Sequence, residues 1–445
     1  ASAGVHDTAP GGSGAALFAG AEGSTGKTLK LDWGAVLGVR TGAAGRVDFI
    51  PSEIHAGLEW LVFRADVGIR HKKQDFTSTL GPLSITSGNI INSGNARSMP
   101  GITLSLLPLN LGKRIRITGT FGDYKTLDDR YIRGAQVHNT EGYMQFDLTG
   151  NLTFTIGVDH YAVWGGTTPE GVRMSTTISD YLHMLAGQPT SYLSQGYDLG
   201  DKVNVMGNQL GRELFRLDYR TEEWTLTLQH DVPYDDRSGM KFRNFPDGAN
   251  ILSLSFTDKT RWVSDIVLEM QYTLCQSGDY ERRPATSREI EEKDPRLYLE
   301  PNGKYTTIVG GADDYFNNYE YRSGWTYYGR TIGNPLFLTN GEARAADVRI
   351  ISNQVIAQHV GIGGSLWHKV PYRFLCTAAL HCGLKDGCYR TFKEIGRIEP
   401  SWQLSTGFEC SVPFGKLNLV PALYFDCGRL LKSNLAATIG LRYNL

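Results

Sequence analysis

The sequence predicts an all-β protein, a transmembrane antiparallel outer-membrane β-barrel of 16–18 strands with long external loops. Three observations predict it. Apolar and polar residues alternate with period two along many runs. Short turns and long connections alternate between those runs. Glycine (52 residues), tyrosine (22) and an aromatic content of 11% suit many strands, many turns and aromatic belts at two water interfaces.

The runs follow in chain order. Over residues 29–40, Leu29, Leu31, Trp33, Ala35, Leu37 and Val39 share one face, opposite Lys30, Asp32 and Arg40. Phe63, Ala65, Val67 and Ile69 oppose Arg64, Asp66 and Arg70, and Ile115, Ile117 and Phe121 oppose Arg114, Arg116 and Thr118. Met144, Phe146 and Leu148 lead through Thr149-Gly150-Asn151 into Leu152, Phe154, Ile156 and Val158, a hairpin signal. Phe215, Leu217 and Tyr219 turn at Thr221-Glu222-Glu223 into Trp224, Leu226 and Leu228. Leu252, Leu254 and Phe256 cross Asp258-Lys259 into Ile266, Leu268 and Met270. Tyr372 to Cys382, Trp402 to Cys410 and Leu417 to Phe425 continue the pattern, and Ile439, Leu441, Tyr443 and Leu445 end it. An apolar last residue is the mark of a bacterial barrel strand, although Phe is the usual residue and Leu445 departs from it. Long connections are expected at about 123–142, 165–212 and 277–343, with a short loop helix over 176–186 and a helix or a loop over 288–293.

A soluble sandwich also alternates, but its polar face is typically rich in Lys and Glu. Here that face carries Gly, Thr, Arg and Asp of mixed sign. Lipid leaves no backbone polar group unpaired, so a spanning sheet must close. The inward charges are Arg40, Arg64, Arg70, Arg114, Arg116, Arg216 and Arg220 against Asp32, Asp66, Asp147, Asp159, Asp218, Asp265 and Glu269. Interleaved opposite charges are the stable solution there. They fit a wet, salt-bridged lumen or a plugged lumen that does not conduct freely.

Composition bounds the rest. In 445 residues, 45 basic side chains offset 46 acidic ones, so there is no electrostatic footprint for nucleic acid. No apolar run reaches the ~18 residues of a transmembrane helix. A mean hydropathy of −0.27 does not argue against a barrel, because lumen-facing residues dilute the average. Residues 1–27, rich in Gly, Ser and Ala, are expected to be a flexible segment ahead of a barrel over 28–445. The chain begins with alanine, so no lipidated N-terminal cysteine is expected. Cys275, Cys376, Cys382, Cys388, Cys410 and Cys427 have no metal-binding spacing and read as small apolar residues, with any pairing left open.

Four stretches do not read as plain strand. They are Asn92-Ser93-Gly94-Asn95-Ala96-Arg97-Ser98-Met99-Pro100-Gly101-Ile102, His160 to Gly166 with Trp164-Gly165-Gly166, Gln229 to Asn244 with Asp235-Asp236-Arg237, and Tyr321 to Leu336 with Gly329-Arg330-Thr331-Ile332-Gly333-Asn334-Pro335. Together and in this order the sequence resembles the Wzi family of capsule-assembly outer-membrane proteins, in the branch found in Bacteroides-type bacteria. The resemblance covers roughly residues 29–445 and rests on Asn95, Arg97, Pro100, Trp164, Gly165, Gly166, Gly329, Arg330, Gly333 and Pro335. It implies an 18-stranded barrel acting as a surface lectin that helps attach capsular polysaccharide. Family members also resemble a barrel with a small N-terminal helical bundle, a pattern that residues 1–27 lack.

Sugar binding needs flat aromatic faces beside hydrogen-bonding groups. The connection over 277–343 offers Tyr315, Phe316, Tyr319, Tyr321, Trp325, Tyr327 and Tyr328 with Asp313, Asp314 and Arg330, which make a candidate carbohydrate site. The competing reading is structural: such residues also form the interfacial belt or dock a loop inside the barrel.

Enzyme signatures are missing. There is no G-x-S-x-G elbow, and Gly26-Lys27-Thr28 fails the register of a phosphate-binding loop. His160, His230, His359, His368 and His381 are scattered over different strands. The expectation is a non-enzymatic protein without cofactor or metal, integral to the outer membrane, with its loops at the cell surface. It binds surface polysaccharide and touches outer-membrane lipid or lipopolysaccharide. Two alternatives stand beside this: a transport pore for sugars or small solutes, and a structural subunit partnered by surface-machinery proteins. Oligomeric state is left open.

Overall fold

The computed structural model describes residues 14–41, 47–71, 78–189, 205–235, 239–294, 296–341, 345–385 and 399–443. The alternating runs form one antiparallel sheet. Its first part is β1 (Ala15–Thr25), β2 (Leu29–Thr41), β3 (Val47–Trp60), β4 (Phe63–Ile69), β5 (Pro100–Leu111), β6 (Ile115–Lys125), β7 (Gln136–Asp147), β8 (Leu152–Trp164), β9 (Asn208–Arg220), β10 (Trp224–Tyr234), β11 (Gly248–Phe256) and β12 (Asp265–Tyr272). A long excursion then carries β13 (Glu281–Pro284), β14 (Leu297–Leu299) and β15 (Tyr305–Gly310) as a small sheet. Two short ribbons follow, β16 (Thr326–Tyr327) with β17 (Arg330–Thr331) and β18 (Leu338–Thr339) with β19 (Ile350–Ser352). The main sheet resumes with β20 (Val355–Leu366), β21 (Val370–His381), β22 (Ser401–Cys410), β23 (Val412–Phe414), β24 (Leu417–Gly428) and β25 (Asn434–Tyr443).

Each strand pairs with the next in sequence, and β12 pairs with β20 across the excursion. The sheet has eighteen strands, but β22 and β23 lie one after the other against β24, so they share one position. β1 and β25 are the edges, and no pairing joins them among the described residues. Every turn at one end is short, for instance residues 112–114, 148–151 and 221–223, whereas the long connections share the other end. This asymmetry of periplasmic turns and external loops is that of outer-membrane barrels.

The predicted outward residues Leu31, Trp33, Leu37, Val39, Phe63, Val67, Met144, Ile156, Leu228, Leu252, Leu268, Ile439 and Leu441 are exposed, as a lipid-facing band requires. The inward charges pair in part, and Arg114, Arg116 and Arg220 make no ion pair among the described residues. Arg64 reaches Asp32 and Asp66 at 2.8 Å and Glu59 at 3.2 Å, and Arg40 meets Asp48 at 3.0 Å. Among the described residues no helix is long and apolar enough to cross a membrane.

Several boundaries are corrected. Residues Ala15–Thr25, expected within a flexible segment, pair with β2 over their whole length, because the small side chains of Ala and Gly disguise a strand. The connection expected over 123–142 is only 126–135, since β6 and β7 pair out to Lys125 and Gln136. The excursion expected over 277–343 runs from 273 to 354. The loop helix falls at Ile178–Leu185, with Thr177 as N-cap accepting from the Asp180 backbone N–H. A second helix, Ser287–Glu291, is closed by a capping box of Thr286 and Glu289. Cys275, Cys376, Cys382, Cys410 and Cys427 are free thiols. Cys388, Leu445 and the Asp236-Arg237 pair lie outside the described residues.

Candidate functional site

Two loop segments fold back into the external half of the lumen. The first is residues 78–99, between β4 and β5. Its anchors are the inward polar side chains of the wall. Glu269 on β12 accepts from the Ser84 hydroxyl at 2.6 Å, the Ile85 N–H at 3.0 Å and the Thr86 hydroxyl at 3.0 Å. Arg212 on β9, fully buried, donates to Asp159 and Asp231 at 2.8 Å each and to the Gly88 carbonyl at 2.7 Å. Asn89 donates to Asp159 at 2.8 Å, and His359 on β20 contacts the Leu83 carbonyl oxygen at 2.7 Å. A Cβ on Gly361 would collide with that same carbonyl, so glycine here lets the plug backbone lie against the wall.

The second segment is residues 311–341 of the excursion, and it packs on the first. The Trp325 indole N–H donates to the Ile91 carbonyl at 2.7 Å, and its ring lies 5.0 Å from that of Tyr161. Ser93 donates to the Gly333 carbonyl at 2.5 Å, and Asn334 to Gln271 of the wall at 2.7 Å. Ile90, Ile91, Tyr161, Trp164, Tyr315, Phe316, Tyr321 and Trp325 belong to one buried apolar cluster.

The resemblance-bearing residues meet here. Asn95 donates to the Thr331 carbonyl and hydroxyl, both at 3.0 Å. Arg97 lies over the Tyr328 ring at 4.6 Å. Tyr321 donates to the Gly165 carbonyl at 3.2 Å. Gly165, Gly166 and Gly329 have φ of 61°, 97° and 80°, the left-handed region that favours glycine. A Cβ on Gly333 would strike the Ile90 carbonyl. Trp164 is buried 5.3 Å from the Tyr181 ring, Pro100 opens β5, and Pro335 follows the buried Asn334.

The candidate carbohydrate residues divide. Tyr315, Phe316, Tyr321, Trp325 and Tyr327 are at most 2% exposed, so they are plug core and not a stacking surface. Asp313 is buried and accepts from the Ser277 hydroxyl at 2.6 Å, while Asp314 accepts from Asn353 at 2.6 Å and Asn317 at 3.0 Å. Burial pushes the Asp314 carboxyl above its ordinary range. Beside them, burial pushes Asp247 up to about 6, although it accepts from two backbone N–H groups and from Tyr315 at 2.9 Å. Only Tyr319 and Tyr328 remain exposed, with Arg330 half-buried.

A rim is left at the loop end. Arg322 lies 4.8 Å from the Tyr131 ring and 5.9 Å from that of Tyr319, and Arg349 lies 5.6 Å from Tyr131. Burial, with Arg40 nearby, pulls the Arg97 guanidinium below its ordinary value, but it stays a cation over Tyr328. Tyr131, Arg322 and Arg349 were not singled out in the sequence. Tyr131 is an isolated aromatic in the 126–135 connection, and only the fold brings it to Arg322. Flat aromatic faces with guanidinium donors can stack on a sugar ring and bond its hydroxyls.

An antiparallel sheet of eighteen strands with short turns at one end, long loops at the other and a lumen occupied by its own chain defines an integral outer-membrane β-barrel. No family model matches the chain, and no curated protein matches it. Among solved structures it is similar to Wzi of Escherichia coli, an outer-membrane protein involved in group 1 capsule assembly and a carbohydrate-binding β-barrel. The identity is 12% over 96% of this chain and 82% of that one, with a TM-score of 0.52. It is also similar to Pseudomonas aeruginosa OprD (10% identity, 97% and 91% coverage, TM-score 0.42) and OccK10 (9%, 98% and 97%, 0.42). The likeness is one of fold.

Proposed function

We propose that this chain is a non-enzymatic, Wzi-type surface protein that binds capsular or related surface polysaccharide at the loop end of the barrel and helps hold it to the cell. The observation that carries the reading is the plug. The external half of the lumen is filled by residues 78–99 and 311–341 and fixed by buried charges, while Tyr319 and Tyr328 stay exposed above it beside the half-buried Arg97, Arg322 and Arg349. The fold likeness to a carbohydrate-binding barrel and the motif resemblance agree with it. Binding is by stacking and hydrogen bonds, with no bond cleaved.

The alternative is a solute channel. In its favour, all of β25 and most of β1 are exposed on both faces, so the plug does not pack against that sector of the wall. The test is titration of the purified, detergent-solubilised barrel with the surface polysaccharide of its own strain, beside a Tyr319→Ala, Tyr328→Ala variant. Saturable binding weakened at least about tenfold in a folded variant is expected, as for loss of two aromatic stacking contacts. No saturable binding by the unmodified barrel contradicts the proposal.

A further inference from the structure

The plug leaves the opposite, short-turn end of the lumen open. A cavity of about 600 Å³ lies there, between the turns at 112–114 and 148–151 and the end of β9. Five cations line it: Lys113, Arg114, Arg116, Arg216 and Arg220. Two carboxylates, Asp147 and Asp218, face them. This is where the charge pairing seen elsewhere in the lumen fails.

The partners show which charges are spent. Asp218 takes a two-pronged contact from Arg216, 2.8 Å on each oxygen, and a 2.6 Å bond from Thr227. Asp147 accepts from Thr153 at 3.2 Å. Arg116 is held by neutral groups, Gln145 at 2.8 Å and Asn110 at 3.1 Å, so its charge is not neutralised. Arg114 and Arg220 are exposed. Their backbones are fixed in the barrel, the Arg114 carbonyl accepting from Asp147 and the Arg220 N–H donating to Asn151, both at 2.8 Å. Their side chains, and that of Lys113, have no ion-pair or hydrogen-bond partner among the described residues. Three cations, two on the tight turn 112–114 and one at the end of β9, therefore line a polar cavity of ligand size. Guanidinium forks match the planar or tetrahedral oxygens of carboxylate and phosphate.

We infer that this inner vestibule is a binding site for a sugar-sized anion bearing carboxylate or phosphate groups, separate from the rim at the other end. The site stands whether or not the rim binds polysaccharide. Acidic sugar units and phosphorylated headgroup sugars share this chemistry, and two probes distinguish them.

The experiment is calorimetric titration of the folded, detergent-solubilised protein with glucuronate, glucose 1-phosphate and neutral glucose at one ionic strength. Saturable one-site binding of at least one anion, and none of glucose, is expected. The tighter anion identifies carboxylate or phosphate as the group recognised. Arg114→Gln with Arg220→Gln should weaken that binding at least about tenfold, as for loss of a charge-assisted contact. If that pair does not fold, Arg114→Lys with Arg220→Lys keeps the charge and should still weaken binding by losing the fork. Tyr319→Ala with Tyr328→Ala should leave it unchanged. Anion binding that is unsaturable, equalled by glucose, or unaffected by loss of the arginines overturns the inference.

Discussion

Arg212 is the residue on which the plug turns. It neutralises Asp159 and Asp231, both fully buried, and holds the Gly88 carbonyl. Arg212→Gln removes the cation that the buried Asp159 and Asp231 share, a loss of about 3–5 kcal/mol. The variant should unfold at lower temperature in detergent, and residues 78–99 should become sensitive to protease. An unchanged melting temperature and digestion pattern would count against the anchor. Asp247 supplies a pH dependence. Its folded-state pKa of about 6 lies above the ordinary value near 4 because burial disfavours the charge. The stabilisation is therefore complete below about pH 4 and is lost as pH rises to about 6, on the order of 3 kcal/mol. Asp247→Asn should flatten the pH profile of melting between those values, and a profile as steep as that of the unmodified protein would refute the assignment. Residue types alone did not locate the site. Trp325 and Tyr315 read as well for a stacking platform as for a core, and only their burial against Ile91 and Asp247 separates the two. Tyr319 and Tyr328, from the same run, are what remains for a ligand.

At the scale of elements, strands with strong contrast were legible in the sequence. β2, β8, β9 and β10 alternate bulky apolar residues with charged or hydroxylated ones, and the structure keeps that assignment. β1, β3, β5 and β20 were not picked out, and for β1 and β20 the reason is plain. Ala and Gly in β1 give no apolar signal. In β20 the inward Gly361 and Gly363 carry no side chain because Leu83 of the plug lies against them. Of the four stretches that did not read as plain strand, residues 160–164, 229–234 and 100–102 are regular strand at the loop ends of β8, β10 and β5, and what draws the rest together, packing inside the lumen, lies in contacts between residues as far apart as Asn95 and Thr331. Edge strands give another test. β1 and β25 are unpaired edges among the described residues, and hydrocarbon cannot satisfy free backbone groups. In lipid nanodiscs the backbone amides of both strands should therefore resist hydrogen exchange as β8 does. Rapid exchange along either would mean that the edge faces water.

For the whole molecule, the barrel and its lipid-facing band follow from period-two alternation, a local property that a linear sequence carries well. What fills the barrel does not, because it depends on which long loop turns inward and which wall charges wait for it. The plug divides the lumen into an external half packed with apolar residues and an inner vestibule rich in arginine. That division is the central claim, since it separates a binding protein from a pore. Single-channel recording of the purified, folded protein in a planar bilayer tests it most directly. No large, steady ohmic conductance is expected, and Arg212→Gln should raise whatever current is present. A large and steady ohmic conductance from the unmodified protein would contradict the plugged barrel and favour the solute channel.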